Sequence, residues 1–205
     1  MPKPRVVQLA IGPMMNFAYL LCDDYAGVCA VIDPGWEANK IADAAKSHRL
    51  TIDKVLLTHT HFDHSHALSE LVQLTNATTY VHREEMGALP KGTKSRPTDD
   101  GTLIPLGGLE VRCLHTPGHT PGSQCFLVED AVFTGDTLFV DGCGRVDLPG
   151  SDPKRMLDSL RRLAQLDPAT VIYPGHDYGS APTSTIGDEL QRNPCMRANS
   201  EQMLL

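Results

Sequence analysis

The stretch from His59 to His66, HTHFDHSH, places four histidines and one aspartate in eight positions. No packed core needs so many imidazoles side by side, and imidazole and carboxylate together are metal ligands. His59 and His61 are two residues apart, so in extended backbone they point the same way and can grip one ion. Asp63 and His64 are adjacent and diverge as the chain turns, which suits a second ion beside the first. Farther along, His119 lies in TPGHTPG, Asp136 in FTGD and His176 in YPGHDYG. The Asp136 carboxylate has two oxygens and can bridge two ions. Nitrogen and oxygen donors without a thiolate pair suit Zn, Fe or Mn and leave positions open for water. His66 belongs to the cluster by position, but a helix would carry it away from His59 and His61. His48, His82 and His115 read as surface or satisfied core residues.

These side chains need a scaffold. Runs of branched and aromatic residues bounded by turn signals predict strands at 5–10, 16–22, 27–32, 53–57, 78–82, 102–106, 109–114, 123–128, 131–134 and 170–173. Helices are predicted over 37–48, 64–74 and 183–192, and from Asp152-Pro153 onward. There Asp152 is the cap and Pro153 the first helical residue, with Met156, Leu157, Leu160, Leu163 and Leu166 on the apolar side. Strands in runs, with helices between and after them, predict two sheets packed together and covered by helices outside. Each candidate ligand follows a strand: His59 and His61 after VLLT, His119 after VRCLHTPG, Asp136 after AVFTG, His176 after TVIYPG. Gly118, Gly135 and Gly175 immediately precede three of them. Loops held on a rigid sheet are where sites are usually built.

The 205 residues, 41% hydrophobic and 21% charged with no linker-like run, predict one globular domain spanning 1–205. A net charge of −7 argues against nucleic acid as a partner. No stretch of 18 apolar residues exists to span a membrane. The N-terminal MPKPRVVQLAIGPMMNF lacks the apolar region of an export signal. Of six cysteines none forms a CxxC pair, and Cys29, Cys113 and Cys125 sit in strand-like runs as small hydrophobes. Reduced thiols in a cytoplasmic protein are the expectation. The sequence leaves the oligomeric state open.

The ordered motifs THTHFDH, TPGHTPGS, FTGDTLF and YPGHDYG resemble those of the metallo-β-lactamase superfamily, over residues 12–195. The similarity is greatest to glyoxalase II-like hydrolases and the related persulfide dioxygenases. It implies a four-layer αββα sandwich of two mixed sheets flanked by helices, with the metals at one edge. It also implies a first site of His59, His61 and His119, a second of Asp63, His64 and His176, and Asp136 as the bridge. Two zinc ions, or a zinc/iron pair, would then activate a hydroxide for attack on a carbonyl, with Asp63 orienting the nucleophile as the catalytic residue. A thiolate leaves easily, so a small-molecule thioester or a carrier-bound acyl group is the expected substrate. The segment GCGRVDLPGSDP, 142–153, resembles the persulfide dioxygenases and single-domain hydrolases. There a basic residue lies toward the substrate, which makes Arg145 a candidate for gripping an anionic group.

Two-domain glyoxalase II carries a C-terminal helical domain that helps to hold glutathione, and this chain stops before it. Glutathione, coenzyme A, an acyl carrier protein and a small lactone all stay open. The residues 83–98, REEMGALPKGTKSRPT, are a candidate lid. The runner-up chemistry is a persulfide dioxygenase with one Fe(II) on His59, His119 and Asp136, the two-histidine-one-carboxylate set. A non-catalytic metal-binding module ranks third, and β-lactam hydrolysis ranks low because it usually goes with export.

Overall fold

The structure, a computed structural model, describes residues 4–205. The first three residues of the N-terminal stretch considered above lie outside the described residues.

Strands β1 (Arg5–Ile11), β2 (Asn16–Asp23), β3 (Val28–Ile32), β4 (Thr51–Leu56), β5 (Thr78–His82) and β6 (Ser95–Thr98) form one six-stranded sheet in sequential order. Strands β7 (Leu103–Leu106), β8 (Leu109–His115), β9 (Gln124–Val128), β10 (Ala131–Gly135), β11 (Val171–Pro174) and β12 (Ser184–Thr185) form the second. Both sheets are mixed. The first turns from antiparallel to parallel at β3, and the second has one parallel pair, β10–β11. A parallel pair needs a crossover, and helices supply it. Helix α1 (Ala38–Ser47) joins β3 to β4, α2 (Phe62–Ser65) and α3 (Leu68–Thr75) join β4 to β5, and α4 (Pro153–Leu163) lies between β10 and β11. Helix α5 (Ile186–Arg192) follows β12.

Four layers enclose three apolar interfaces, and β2 shows how one strand serves two of them. All eight of its residues are buried. Phe17, Tyr19 and Leu21 face the second sheet, meeting Val111, Phe126 and Phe133, while Ala18, Leu20 and Cys22 face outward with Ile41 of α1 and Leu71 of α3. The alternation is the two-residue period of a strand buried on both sides. Beyond the second sheet, Val132 and Ile172 pack with Met156, Leu160 and Leu163 of α4 and Ile186 of α5. The αββα sandwich is thus the observed arrangement. Helix α4 begins as expected, with the Asp152 side chain accepting from the Arg155 N–H at 3.0 Å and Pro153 next. Cys29, Cys113 and Cys125 are fully buried in the strands.

Three elements differ from expectation. The helix predicted over 64–74 is broken into α2 and α3, because the chain turns at Ala67, whose N–H bonds the Pro34 carbonyl at 3.1 Å. The tail helix starts only at Ile186, after Thr185 has capped it by accepting from the Asp188 N–H. The supposed lid is ordered as a 3₁₀ turn over Arg83–Ala88 and the strand β6. Pro97 and the polar composition of SRPT hid that strand, which an edge position tolerates.

Phe133 sits between the sheets with Tyr19 edge-on at 5.2 Å and Tyr173 stacked at 5.0 Å. Phe133→Ala should therefore lower the urea-unfolding free energy by about 3–5 kcal/mol. Tyr19→Phe, which keeps the ring and removes the hydroxyl's hydrogen bonds to the Pro174 carbonyl at 2.6 Å and from Gln8 Nε2 at 3.2 Å, should cost about 1–2 kcal/mol. Equal midpoint shifts for the two variants would contradict this account of the core.

Candidate metal centre

The loops that leave β4, β8, β10 and β11 meet at one edge of the sandwich and bring all seven sequence-predicted ligands together. His59, His61 and His119 present one nitrogen each within a 4.8 Å circle, and Asp63, His64 and His176 form a second such group. Asp136 stands between them. Its Oδ2 is 3.4 Å from His119 Nε2 and 3.5 Å from His176 Nε2, and its Oδ1 is 3.2 Å from His64 Nε2.

Backbone shape makes the convergence possible. Gly135 has φ +47°, and a Cβ there would meet Thr58 Oγ1 at 2.3 Å. Gly175 approaches so closely that a Cβ would lie 2.6 Å from Asp136 Oδ1 and 2.8 Å from the His64 ring.

Hydrogen bonds from surrounding groups decide which nitrogen four of the histidines turn inward. His119 Nδ1–H donates to the Arg145 carbonyl at 2.8 Å, and His176 Nδ1–H to the Met14 carbonyl at 3.0 Å. His64 Nδ1–H points at Asp33 Oδ2, 3.1 Å away. The Thr58 hydroxyl donates to that same Asp33 oxygen at 2.6 Å, so at 3.0 Å it accepts from His59 Nδ1–H. All four rings therefore turn Nε2 toward the centre, while His61 presents Nδ1, 2.8 Å from His119 Nε2. Such orienting partners are the usual surroundings of metal-ligating histidines.

Asp33 also falls within reach of His59 and His64 as a ligand-like triad. Its oxygens are already committed to the Thr58 N–H and hydroxyl and to the far side of His64, so it orients the cluster from behind. Asp63 is held from outside as well: Asn16 Nδ2 donates to its Oδ2 at 2.9 Å, and Trp36 Nε1 donates to Asn16 Oδ1 at 3.0 Å.

The donor set fits a metal. With both Nδ1 positions donating outward, His64 and His176 turn Nε2 toward Nε2 at 3.1 Å, an approach that only a proton or a metal ion between them makes favourable. Two nitrogens bound to one tetrahedral zinc lie about 3.3 Å apart, so the spacing suits a shared cation. His59 Nε2 and Asp136 Oδ1 are buried without a hydrogen-bond partner, which is costly unless an ion completes them. Electrostatics agree. Burial drives the His59 imidazole well below the usual histidine range and lowers His61, leaving both neutral. Burial also opposes charge on His64 and His176. It is outweighed by Asp136 and Asp33 around His64, held well above its usual range, and by Asp136 and Asp63 around His176, raised to about 9. Against the same desolvation, His176 and His64 hold Asp63 below the usual carboxylate range and Asp136 well below it. The field at the second group favours a positive charge, be it proton or metal ion.

The cluster floors a cavity of about 420 Å³ whose walls include Met14, Phe139, Val140, Leu148 and Tyr178. Arg145 stands at its edge, exposed and paired bidentately with Asp147 at 2.8 and 2.9 Å. His66 is directed away, its ring against Phe62 and Trp36. The outer residues Asn16, Asp33 and Thr58 escaped the sequence reading. Asp33 follows β3 directly and obeys the same rule that located the ligands, whereas nothing in the local sequence marks Asn16.

The chain matches the sequence model of the Metallo-beta-lactamase superfamily over residues 11–176. It is 34% identical over 180 residues to a probable polyketide biosynthesis zinc-dependent hydrolase, PksB of Bacillus subtilis, covering 87% of this chain and 80% of that protein. It is 39% identical over 165 residues to a hydroxyacylglutathione hydrolase of Bartonella henselae, covering 80% of this chain and 63% of the relative. The crystal structure of ETHE1 from Myxococcus xanthus superposes with a TM-score of 0.89 at 31% identity, over 98% of this chain and 88% of that one. Fold, ligand-bearing strand ends and sequence match coincide along the same stretch, and the chain belongs to the metallo-beta-lactamase superfamily.

Proposed function

We propose that the protein is a metal-dependent hydrolase of thioesters, acting on a small-molecule or carrier-bound acyl group. The observation that carries this reading is the pair of ligand groups flanking Asp136 at the floor of a largely apolar cavity. On this reading His59, His61 and His119 hold one zinc ion, Asp63, His64 and His176 hold another, and Asp136 faces both. Metal bound there supplies a Lewis acid that polarises the substrate carbonyl and brings the pKa of water down to about 7.

The chain's own residues do the remaining work. Asp63, fixed through Oδ2 by Asn16, accepts a hydrogen bond from the attacking water and aims it, the catalytic role assigned to it here. Phe139, Val140 and Leu148 keep bulk water from the acyl side. A thiolate departs without strong acid assistance, and among the described residues the only lysine or arginine of the cavity wall is the exposed Arg145. That guanidinium is paired with an exposed carboxylate, and such surface pairs are weak. It is therefore available to a carboxylate or phosphate on the thiol carrier. The zinc-dependent hydrolase and hydroxyacylglutathione hydrolase relatives support hydrolysis as the reaction type.

The likeness to ETHE1 favours a second reading, a persulfide dioxygenase with one Fe(II) on His59, His119 and Asp136. Both readings are compatible with the full ligand set, and the relatives named as hydrolases put the hydrolase first. Among the described residues no helix is long and apolar enough to cross a membrane.

Elemental analysis of protein purified without added metal separates the two chemistries. Hydrolysis predicts two zinc per chain and turnover of acyl thioesters, whereas one iron with oxygen uptake on glutathione persulfide would replace it with the dioxygenase. Asp136→Ala should lose metal from the centre and lower kcat/KM at least 10³-fold, about 4 kcal/mol of transition-state stabilisation. Full metal content at wild-type rate in that variant would refute the assignment. Arg145→Ala should raise KM about tenfold for thioesters of anionic carriers, with kcat nearly unchanged and a neutral N-acetylcysteamine thioester unaffected. A uniform effect on all three parameters would remove Arg145 from substrate binding.

A further inference from the structure

The triad His59, His61 and His119 draws its members from both sheets, two after β4 and one after β8. Sheet packing alone sets the spacing of such loops loosely, whereas a ligand triad needs a tolerance of about half an ångström. Directly behind the two loops stands Glu85, in the 3₁₀ turn of the segment expected to be a lid. It is buried, at 7% exposure. One carboxylate oxygen accepts from the hydroxyl of Thr60, the residue between His59 and His61. The other accepts from the Thr120 hydroxyl at 2.7 Å, beside His119, and from the Gly122 N–H at 3.2 Å. The loop following β8 is fitted to it: a Cβ at Gly122 would come within 2.5 Å of Glu85 Cγ.

We propose that Glu85 is a positioning residue, a carboxylate strut that spans the two sheets and fixes the separation of His59 and His61 from His119. Carboxylate chemistry suits the task. All three partners donate, and an ionised carboxylate is acceptor-only with room for about four donors. Those partners, two hydroxyls and a peptide N–H, are all neutral donors, so the carboxylate works here as an acceptor. The far end of the same segment is tied in parallel. Thr98 of β6 donates to Gln124 Oε1 at 2.8 Å, and Gln124 Nε2 donates to the Leu57 carbonyl at 2.9 Å, just ahead of Thr58 and His59. Residues 83–98 thus act as a bracket behind the centre, with the ligand loops hung from its two ends. Ser65 supports the first loop from its other side, its hydroxyl reaching the Thr60 and His61 carbonyls at 3.2 and 3.0 Å.

This inference rests on the metal-centre reading of the proposed function. Its test uses cobalt(II), whose visible absorption reports ligand geometry, titrated into chelator-stripped full-length protein. The wild type should take up cobalt in two phases. In Glu85→Ala one phase should weaken at least tenfold with an altered spectrum while the other is unchanged, since partners of metal ligands are typically worth 10- to 100-fold in affinity. Glu85→Gln keeps an acceptor for Thr120 and Gly122 and should restore most of that affinity and the wild-type spectrum. Thr60→Val, which removes one hydroxyl near the surface, should reproduce part of the effect and serves if Glu85→Ala fails to fold. Variants that lose thermal stability yet bind cobalt with wild-type affinity and spectrum would overturn the strut and leave the metal centre standing. A wild type that takes up no cobalt would overturn the metal centre itself.

Discussion

Imidazole lone pairs do not pack against one another of their own accord, and at this edge of the sandwich they are made to. His61 and His119 meet at 2.8 Å, and His64 and His176 at 3.1 Å. The second contact sets lone pair against lone pair in a neutral cluster, and both suit nitrogens that share a cation. Hydrogen bonds from outside the cluster resolve this conflict: Asp33, Thr58, Asn16, the Arg145 and Met14 carbonyls and Glu85 hold the donors in place from behind. Stability lies in the three apolar layers, and the strained arrangement they support is confined to loop ends.

The layers explain why the centre is stiff. Strand β2 is buried on both faces, so it cannot shift without disturbing two cores at once. Asn16 at its first residue holds Asp63, and the Phe17 N–H donates to the Gly175 carbonyl at 2.9 Å. The outermost part of the site is built differently. Arg145, Tyr178 and Met14 are exposed around the cavity mouth and are free of the core's constraints. The clustered donors are thus set by the scaffold, while the rim of the cavity is left free to vary.

Much of this was legible in the residues themselves. Two-residue spacing marked His59 and His61, strand-end position marked His119, Asp136 and His176, and runs of branched and aromatic residues between turn signals marked nearly every strand. The errors have physical causes. Residues 64–74 keep a helical apolar stripe, so a break at Ala67 is invisible until Pro34 offers its carbonyl. β6 carries Pro97 and little apolar surface, and it pairs only because β5 lies beside it. The segment 83–98 looks like a loop by composition, and its burial of Glu85 depends on partners far away in sequence.

The sequence by itself determined which side chains carry the chemistry, because donor type and strand-end position are local properties. It also determined the layered fold class, through periodicity that requires each strand to bury one or two faces. Tertiary structure alone decided how the donors are shared and oriented: which nitrogen each ring presents, that Asp33 stands behind the centre, that Asn16 holds Asp63 and that Glu85 joins two sheets. Nearly all of those facts rest on hydrogen bonds between residues 25 or more positions apart, and a contact of that range exists only once packing has closed the distance.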